Sequence, residues 1–271
     1  MKGGRCRDGG GNDEGDRPST YGSPDVLELR DIDVPEVGGG NVLLRVHAAS
    51  AHIGDWHVMT GLPYLIRLGF GLRAPKVRVR GTDVAGRVEA VGEGVTRFRP
   101  GDEVFGVCTG SFAEFALARP ELAPKPANLT FEQAATCPVS GLAALQAVRD
   151  AGKVQPGQRA LIIGAGGAVG TFAVQIAKAF GARVTGVCST SKGDLVRSLG
   201  ADEVIDYTRE DFEESDQRYD AILVTAGAHS VPRLRRHLAP KEALVIVGAE
   251  GADAGSEASV ATFGRRCCRR S

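Results

Sequence analysis

The stretch ALIIGAGGAVGTFAVQIAKAF, residues 160–180, decides the reading of this chain. Residues 160–163 are an unbroken apolar run, expected as a short strand. Gly164, Gly166, Gly167 and Gly170 follow, with Ala168 and Val169 between them. Residues 169–180 then place apolar side chains at helical spacing. A strand, a glycine turn and a helix in that order let the backbone swing sharply and bring N–H groups up to a pyrophosphate. The helix N-terminus adds unpaired donors and a partial positive charge. Gly170 lets the helix pack closely on the sheet. These six residues, Gly164 to Gly170 without Ala165, are therefore candidate cofactor ligands. The plainer reading is a glycine-rich connection with no ligand, and the context of the turn argues against it.

That context extends downstream. Short runs at 184–187, 204–205, 221–224 and 243–247 read as strands, and 192–199 and 234–238 as helices. Such alternation implies a parallel sheet covered on both faces. The end of the second strand, VCSTSK at 187–192, bears on the choice of nicotinamide. A site for the unphosphorylated dinucleotide usually places an acid there for the ribose 2′-OH. No carboxylate occurs in this segment before Asp194. Ser189 and Thr190 can donate hydrogen bonds to a 2′-phosphate, and Lys192 can neutralise part of its charge. The expected cofactor is NADPH. Tyr207, past the third strand, is a further candidate at the adenosine phosphate. The bland alternatives are a solvated first-turn lysine and a half-buried surface tyrosine.

Upstream the pattern differs. From 26 to 119, short β-type runs (41–46, 86–91, 103–107) are separated by turns such as Pro100-Gly101-Asp102. Helices are expected at 130–136, with Thr130 as N-cap, and at 141–151. Residues 1–20 are dominated by glycine and charge and read as disordered. Residues 251–271 have no periodicity. The expected division is a foreign or disordered 1–20, a β-rich domain over 21–135, an α/β domain over 136–250 and an irregular tail.

Composition narrows the function classes. Lys plus Arg and Asp plus Glu both number 33, which argues against nucleic acid or an anionic membrane as partner. No apolar run approaches the ~20 residues that span a bilayer, and no signal-peptide core opens the chain. The expected compartment is the cytoplasm. The six cysteines form no CxxC pair, so neither a structural zinc site nor a disulfide framework is expected.

GAGGAVGTFAVQIAKAFGARVTGV (164–187) and LVRSLGADEVIDY (195–207) resemble the quinone oxidoreductase group of the medium-chain dehydrogenases/reductases. GTDVAGRVEAVGEGVTRFRPGDEVFGV (81–107) and VPEVGGGNVLLRVHAAS (34–50) are similar to that family's GroES-like β-barrel. The resemblance implies a barrel followed by a Rossmann doubly wound sheet, NADPH as reductant, and a quinone or other α,β-unsaturated carbonyl substrate in the cleft. It also implies a site for the nicotinamide against the backbone of Thr225-Ala226-Gly227 and Val247-Gly248. Zinc-dependent relatives carry Gly-His-Glu where this chain has Gly81-Thr82-Asp83, and the cysteine expected near Asp55 is missing. His47, His52 and His57 have no common metal-ligand spacing and are read as polar or cleft-lining. No metal is expected. Tyr64, in GLPYL, is the candidate proton or hydrogen-bond donor. Thr82 is a candidate for orienting substrate or nicotinamide, and the resemblance places Asp55 and Trp56 along the cleft.

The chain also departs from the pattern. After the strand at 243–247 it runs into GADAGSEASVATFGRRCCRRS instead of a sixth Rossmann strand. It is therefore read as C-terminally truncated, with an unpaired edge and a weakened homodimer. The alternative to a reductase is a weakly active or inactive NADPH-binding or interaction protein on the same fold.

Overall fold

The computed structural model describes residues 20–76, 79–227 and 229–247. The N-terminal stretch expected to be disordered lies, up to residue 19, outside the described residues. So do Gly248 and the tail read as irregular.

The upstream half forms an antiparallel barrel from β1 (Val42–Ser50), β2 (Asp83–Val91), β3 (Glu103–Thr109), β4 (Phe115–Ala118) and β5 (Ala123–Pro124). The order β2-β1-β4-β3-β5, with β2 also paired to β3, closes the sheet on itself. Alternate residues point inward, so Val42, Leu44, Val84, Val88, Val104 and Ala116 fill the interior with Phe98 and Leu122. Between β1 and β2 the chain forms α1 (Ile53–Thr60), a 3₁₀ turn Tyr64–Ile66 and α2 (Arg67–Phe70). After β5 come α3 (Phe131–Ala135) and α4 (Pro138–Leu145). Thr130 caps α3 as its sequence suggests, accepting from the Gln133 N–H at 3.2 Å.

The helix expected at 141–151 begins earlier and ends differently. Pro138 opens α4, and the Val139 N–H donates to Asp83 Oδ1 at 3.0 Å. This cap comes from a residue 56 positions away, so no local pattern signals it. Residues Gln146–Ala151 form a π-helical turn instead of continuing the α-helix.

The downstream half is a parallel sheet of β6 (Arg159–Ile163), β7 (Arg183–Cys188), β8 (Glu203–Asp206), β9 (Tyr219–Val224) and β10 (Leu238–Ile246). Its order is β10-β9-β6-β7-β8. Connections pass through α5 (Ala168–Ala179), α6 (Gly193–Ser198) and α7 (Val231–Arg236). Both faces are covered. Ala160, Ile162, Val184 and Leu223 pack with Ala173, Val174 and Ala177 of α5. Leu161, Ile163, Ile222 and Val224 pack on the other side with Phe212, Tyr219 and Leu234. Burial on two faces is why β6 reads as a continuous apolar run. Gly170, Ala173, Val174 and Ala177 form the buried stripe of α5.

Three boundaries differ from expectation. A 3₁₀ turn, Thr190–Lys192, precedes α6. The helix expected at 234–238 is α7, set several residues earlier by Ser230-Val231-Pro232, with proline in its first turn. The last strand begins at Leu238, and its register against β9 is irregular between Leu238 and Ala243. Among the described residues, β10 is an edge strand, and no helix is long and apolar enough to cross a membrane.

Candidate functional site

β6 sits where the strand order reverses, with β7 on one side and β9 on the other. The crevice at the C-terminal end of such a strand is where open α/β sheets bind ligands. The glycine turn occupies it. Gly164 has φ +82°, a left-handed conformation that glycine adopts without strain. Its N–H and that of Ala165 both donate to the Val187 carbonyl, at 3.1 and 2.9 Å. Ala165 is fully buried, and its Cβ lies 3.0 Å from where a Cβ on Gly186 would stand. Gly167 is the N-cap of α5. It is exposed, and a Cβ there would meet only the Gly164 carbonyl, at 3.3 Å. A Cβ on Gly170 would fall 2.1 Å from the same carbonyl and 2.8 Å from Ala165 Cα. Turn and helix are therefore in backbone contact, and the exposed Gly167–Ala168 face leaves the first-turn N–H groups of α5 open to an anion. The cradle fits a diphosphate.

The second strand brings its loop over this turn. A Cβ on Gly166 would lie 2.8 Å from Lys192 Cβ, so the lysine stem crosses the glycine turn. Ser189 Oγ lies 3.2 Å from Ser191 Oγ. Tyr207, 61% exposed, follows β8 and donates its N–H to the Cys188 carbonyl at 3.2 Å. Thr190 departs from its expected role. Its hydroxyl is hydrogen-bonded to Asp206 Oδ2 and lies 2.9 Å from Thr208 Oγ1. Its proton is already engaged, so it is not a donor to a 2′-phosphate in this arrangement. The hydroxyls of Thr190 and then Thr208 hold the Asp206 carboxyl below its usual range, and Arg209 adds to this at 3.5 Å.

On the other side of the crevice, the Thr225 hydroxyl donates to the Ile163 carbonyl at 2.8 Å and lies 3.2 Å from that of Gly164. Ala226 Cβ is 2.8 Å from where a Gly164 Cβ would be, and Gly227 has φ +85°. The Val247 N–H donates to the Val224 carbonyl at 2.9 Å. Thr225, Ala226, Gly227 and Val247 thus lie at the C-terminal ends of β9 and β10, beside the turn.

The barrel contributes a second polar group. Thr82 immediately precedes β2, and its carbonyl accepts from the Cys108 N–H at 2.8 Å. Its Oγ1 lies 2.6 Å from His52 Nε2 and 3.4 Å from Asp55 Oδ1. Asp55 Oδ2 accepts the His52 backbone N–H at 3.0 Å, which closes a capping box at the start of α1. Next to Thr82, Asp83 is 1% exposed and accepts from Val139 N–H and, at 3.2 Å, from Ser50 Oγ. Burial pushes the Asp83 carboxyl up, against the pull of those donors. Burial, reinforced by Asp83 and Asp55, pushes the Cys108 thiol up to about 12, so it stays protonated and unreactive. Because α4 carries Val139 and packs on α5 through Gly141 and Phe172, the Asp83–Val139 bond ties the barrel wall at Thr82 to the crevice at β6.

Asp55 and Thr82 are thus brought together. Tyr64 is 69% exposed, and its ring lies under the Arg67 guanidinium, 4.8 Å away; Arg67 also covers Tyr21. Trp56 is exposed on α1. The three histidines part company: His47 stacks on Phe131, His57 Nδ1 lies 2.7 Å from the Leu62 carbonyl, and only His52 joins Thr82. Sequence reasoning grouped His52 with the other two as polar or cleft-lining and did not single out its pairing with Thr82. Its position three residues before Asp55 at a helix start was the available signal. Among the described residues, no three His, Cys, Asp or Glu side chains are grouped to hold a metal ion.

A closed β-barrel tied to a glycine turn at a switch point is the layout of a two-lobed dinucleotide-binding protein. Comparison with known proteins agrees. Residues 38–127 match the alcohol dehydrogenase GroES-like domain, and 168–269 match the family described as zinc-binding dehydrogenase. The second match runs on through the stretch set apart as an irregular tail. NAD(P)H oxidoreductase RTN4IP1, mitochondrial, of Mus musculus is 38% identical over 236 residues, covering 76% of this chain and 58% of that protein. The 2-methylene-furan-3-one reductase of Solanum lycopersicum is 36% identical over 223 residues, covering 76% and 55%. The chain spans little more than half the length of these relatives. The solved quinone oxidoreductase of Coxiella burnetii superposes with a TM-score of 0.75 at 31% identity, covering 83% of this chain and 72% of that one. The chain belongs to the quinone oxidoreductase group of the medium-chain dehydrogenases/reductases.

Proposed function

We propose that the chain binds NADPH across the crevice at β6 and reduces a quinone or another α,β-unsaturated carbonyl compound without zinc. The observation that carries this reading is the Lys192 stem lying across Gly166, which sets a cation beside a turn built for a diphosphate. Gly164, Gly166, Gly167, Ala168, Val169 and Gly170 hold the diphosphate through backbone N–H groups and close packing. Ser189, Lys192 and Tyr207 take the 2′-phosphate. Thr225, Ala226, Gly227 and Val247 leave room for the ring; Gly248, the remaining candidate there, lies outside the described residues. Bound there, the nicotinamide supplies hydride. Thr82 presents a hydroxyl to the substrate oxygen, Asp55 steadies the α1 end of the group, and Tyr64 is a second donor from the loop above.

Two features support independence from zinc. Thr82 is a poor zinc ligand, and both ring nitrogens of His52 are already in hydrogen bonds. The names of the relatives, an NAD(P)H oxidoreductase and a 2-methylene-furan-3-one reductase, are in keeping with this chemistry.

Following NADPH absorbance with a panel of quinones and enones tests the reading. Consumption of NADPH by at least one acceptor, with NADH slower, is the expected outcome. Clean NADPH binding with no turnover on any acceptor would make the chain a binding protein.

A further inference from the structure

His52 holds a position from which it can set the direction of the Thr82 proton. Its Nδ1 faces the Gly54 backbone N–H at 3.0 Å. A backbone N–H only donates, so Nδ1 is the acceptor and the neutral ring carries its proton on Nε2. Nε2 faces Thr82 Oγ1 at 2.6 Å, where the hydroxyl oxygen must accept. The Thr82 proton must then point elsewhere. The group nearest to receive it is Asp55 Oδ1, at 3.4 Å, a long and weak contact. The other oxygen of Asp55 is held by the His52 backbone N–H. His52 and Asp55 side chains are 14% and 11% exposed, so water competes poorly for either.

We infer that His52 is a positioning residue that holds the Thr82 hydroxyl as a hydrogen-bond donor to the substrate oxygen. The inference rests on the reductase reading above. The weak Asp55 contact gives way when a carbonyl oxygen arrives at Thr82, and the short bond from His52 polarises the hydroxyl toward it. Hydride addition to the substrate carbon leaves the electron pair on that oxygen, and the Thr82 O–H stabilises it. The proton that completes the product comes from water. His52 does not shuttle it: giving up the Nε2 proton would require reprotonation at Nδ1, where the Gly54 N–H stands. The arrangement distinguishes a fixed donor from a general acid.

Two substitutions separate this role from helix capping. His52→Asn keeps a side-chain oxygen near Gly54 and caps α1, yet is too short to reach Thr82. His52→Gln loses the local cap geometry and keeps an amide that reaches Thr82. With NADPH and a responsive acceptor, His52→Asn is expected to lower kcat by about tenfold with KM and melting temperature little changed. His52→Gln is expected to recover most of that loss despite a lower melting temperature. Adding His52→Asn to Thr82→Val should cost nothing further in kcat, because the donor is already gone. A readout independent of turnover is the ring ¹⁵N spectrum of His52 in the full chain. It should show the neutral Nε2–H form, with Nε2 shifted by Thr82→Val. A proton found on Nδ1, or His52→Asn turning over like wild type, overturns the inference and leaves the reductase reading standing. No turnover in the wild-type protein overturns both.

Discussion

At Gly170 a hydrogen atom is the largest side chain the backbone admits. A Cβ there would sit 2.1 Å from the Gly164 carbonyl, so helix and turn would have to part. Overpacking a rigid contact costs about 1–3 kcal/mol. Gly170→Val should lower the unfolding free energy, read from urea curves, by that amount, and should weaken dinucleotide binding more than the loss of fold accounts for, because the displaced turn carries the N–H groups. Gly167, whose virtual Cβ meets a single atom at 3.3 Å, is the internal control: Gly167→Ala should leave stability nearly untouched. Comparable losses at both positions, read from the same unfolding curves, would show that packing does not distinguish them.

In the proposed reading, the element that sets cofactor preference is the loop from Ser189 to Lys192, anchored by Asp206 at the end of β8. The Asp206 carboxyl is held below its usual range, first by Thr190 and then by Thr208, so it is ionised throughout the neutral region. A negative charge beside the proposed 2′-phosphate pocket opposes the phosphate, offset in part by Arg209. Asp206→Asn keeps an acceptor for Thr190 and removes the charge. NADPH should then bind about three- to tenfold more tightly at low salt, with the gain shrinking as salt is added and NADH unaffected. Equal changes for both dinucleotides in a fluorescence titration would place Asp206 away from the phosphate. This anchor also shows where sequence reasoning stops. The strand, glycine turn and helix of 160–180 are legible because local periodicity and glycine sterics alone specify them. Thr190 looked like a free donor because its partner is 16 residues on, across a strand pair. The start of α4 was misplaced for the same reason, since its cap is Asp83. The sequence marks His52 only as one of three polar or cleft-lining histidines, because its partner, Thr82, lies 30 residues away.

Across the whole molecule, Asp83 joins the two lobes. It accepts Val139 N–H from α4 while lying almost fully buried in the barrel wall. Burial raises its pKa in the folded chain above the unfolded value. The folded state therefore binds the proton more tightly, and the stability this confers is present at low pH and lost as pH rises through the raised value. Asp83→Asn, which retains an acceptor for Val139, should flatten that part of the pH dependence. Urea midpoints that fall in wild type as pH rises above the ordinary carboxylate range should hold steady in the variant. An unchanged slope would assign the pH dependence to other groups.

The central claim is that the turn at 164–170 and Lys192 together hold a phosphorylated dinucleotide. Calorimetric titration of wild-type protein and Lys192→Glu with NADPH and NADH tests it most directly. NADPH should bind wild type about tenfold or more tightly than NADH, and the substitution should erase that preference while leaving NADH binding in place. Binding of neither dinucleotide, or a preference for NADPH that survives Lys192→Glu, would contradict the account.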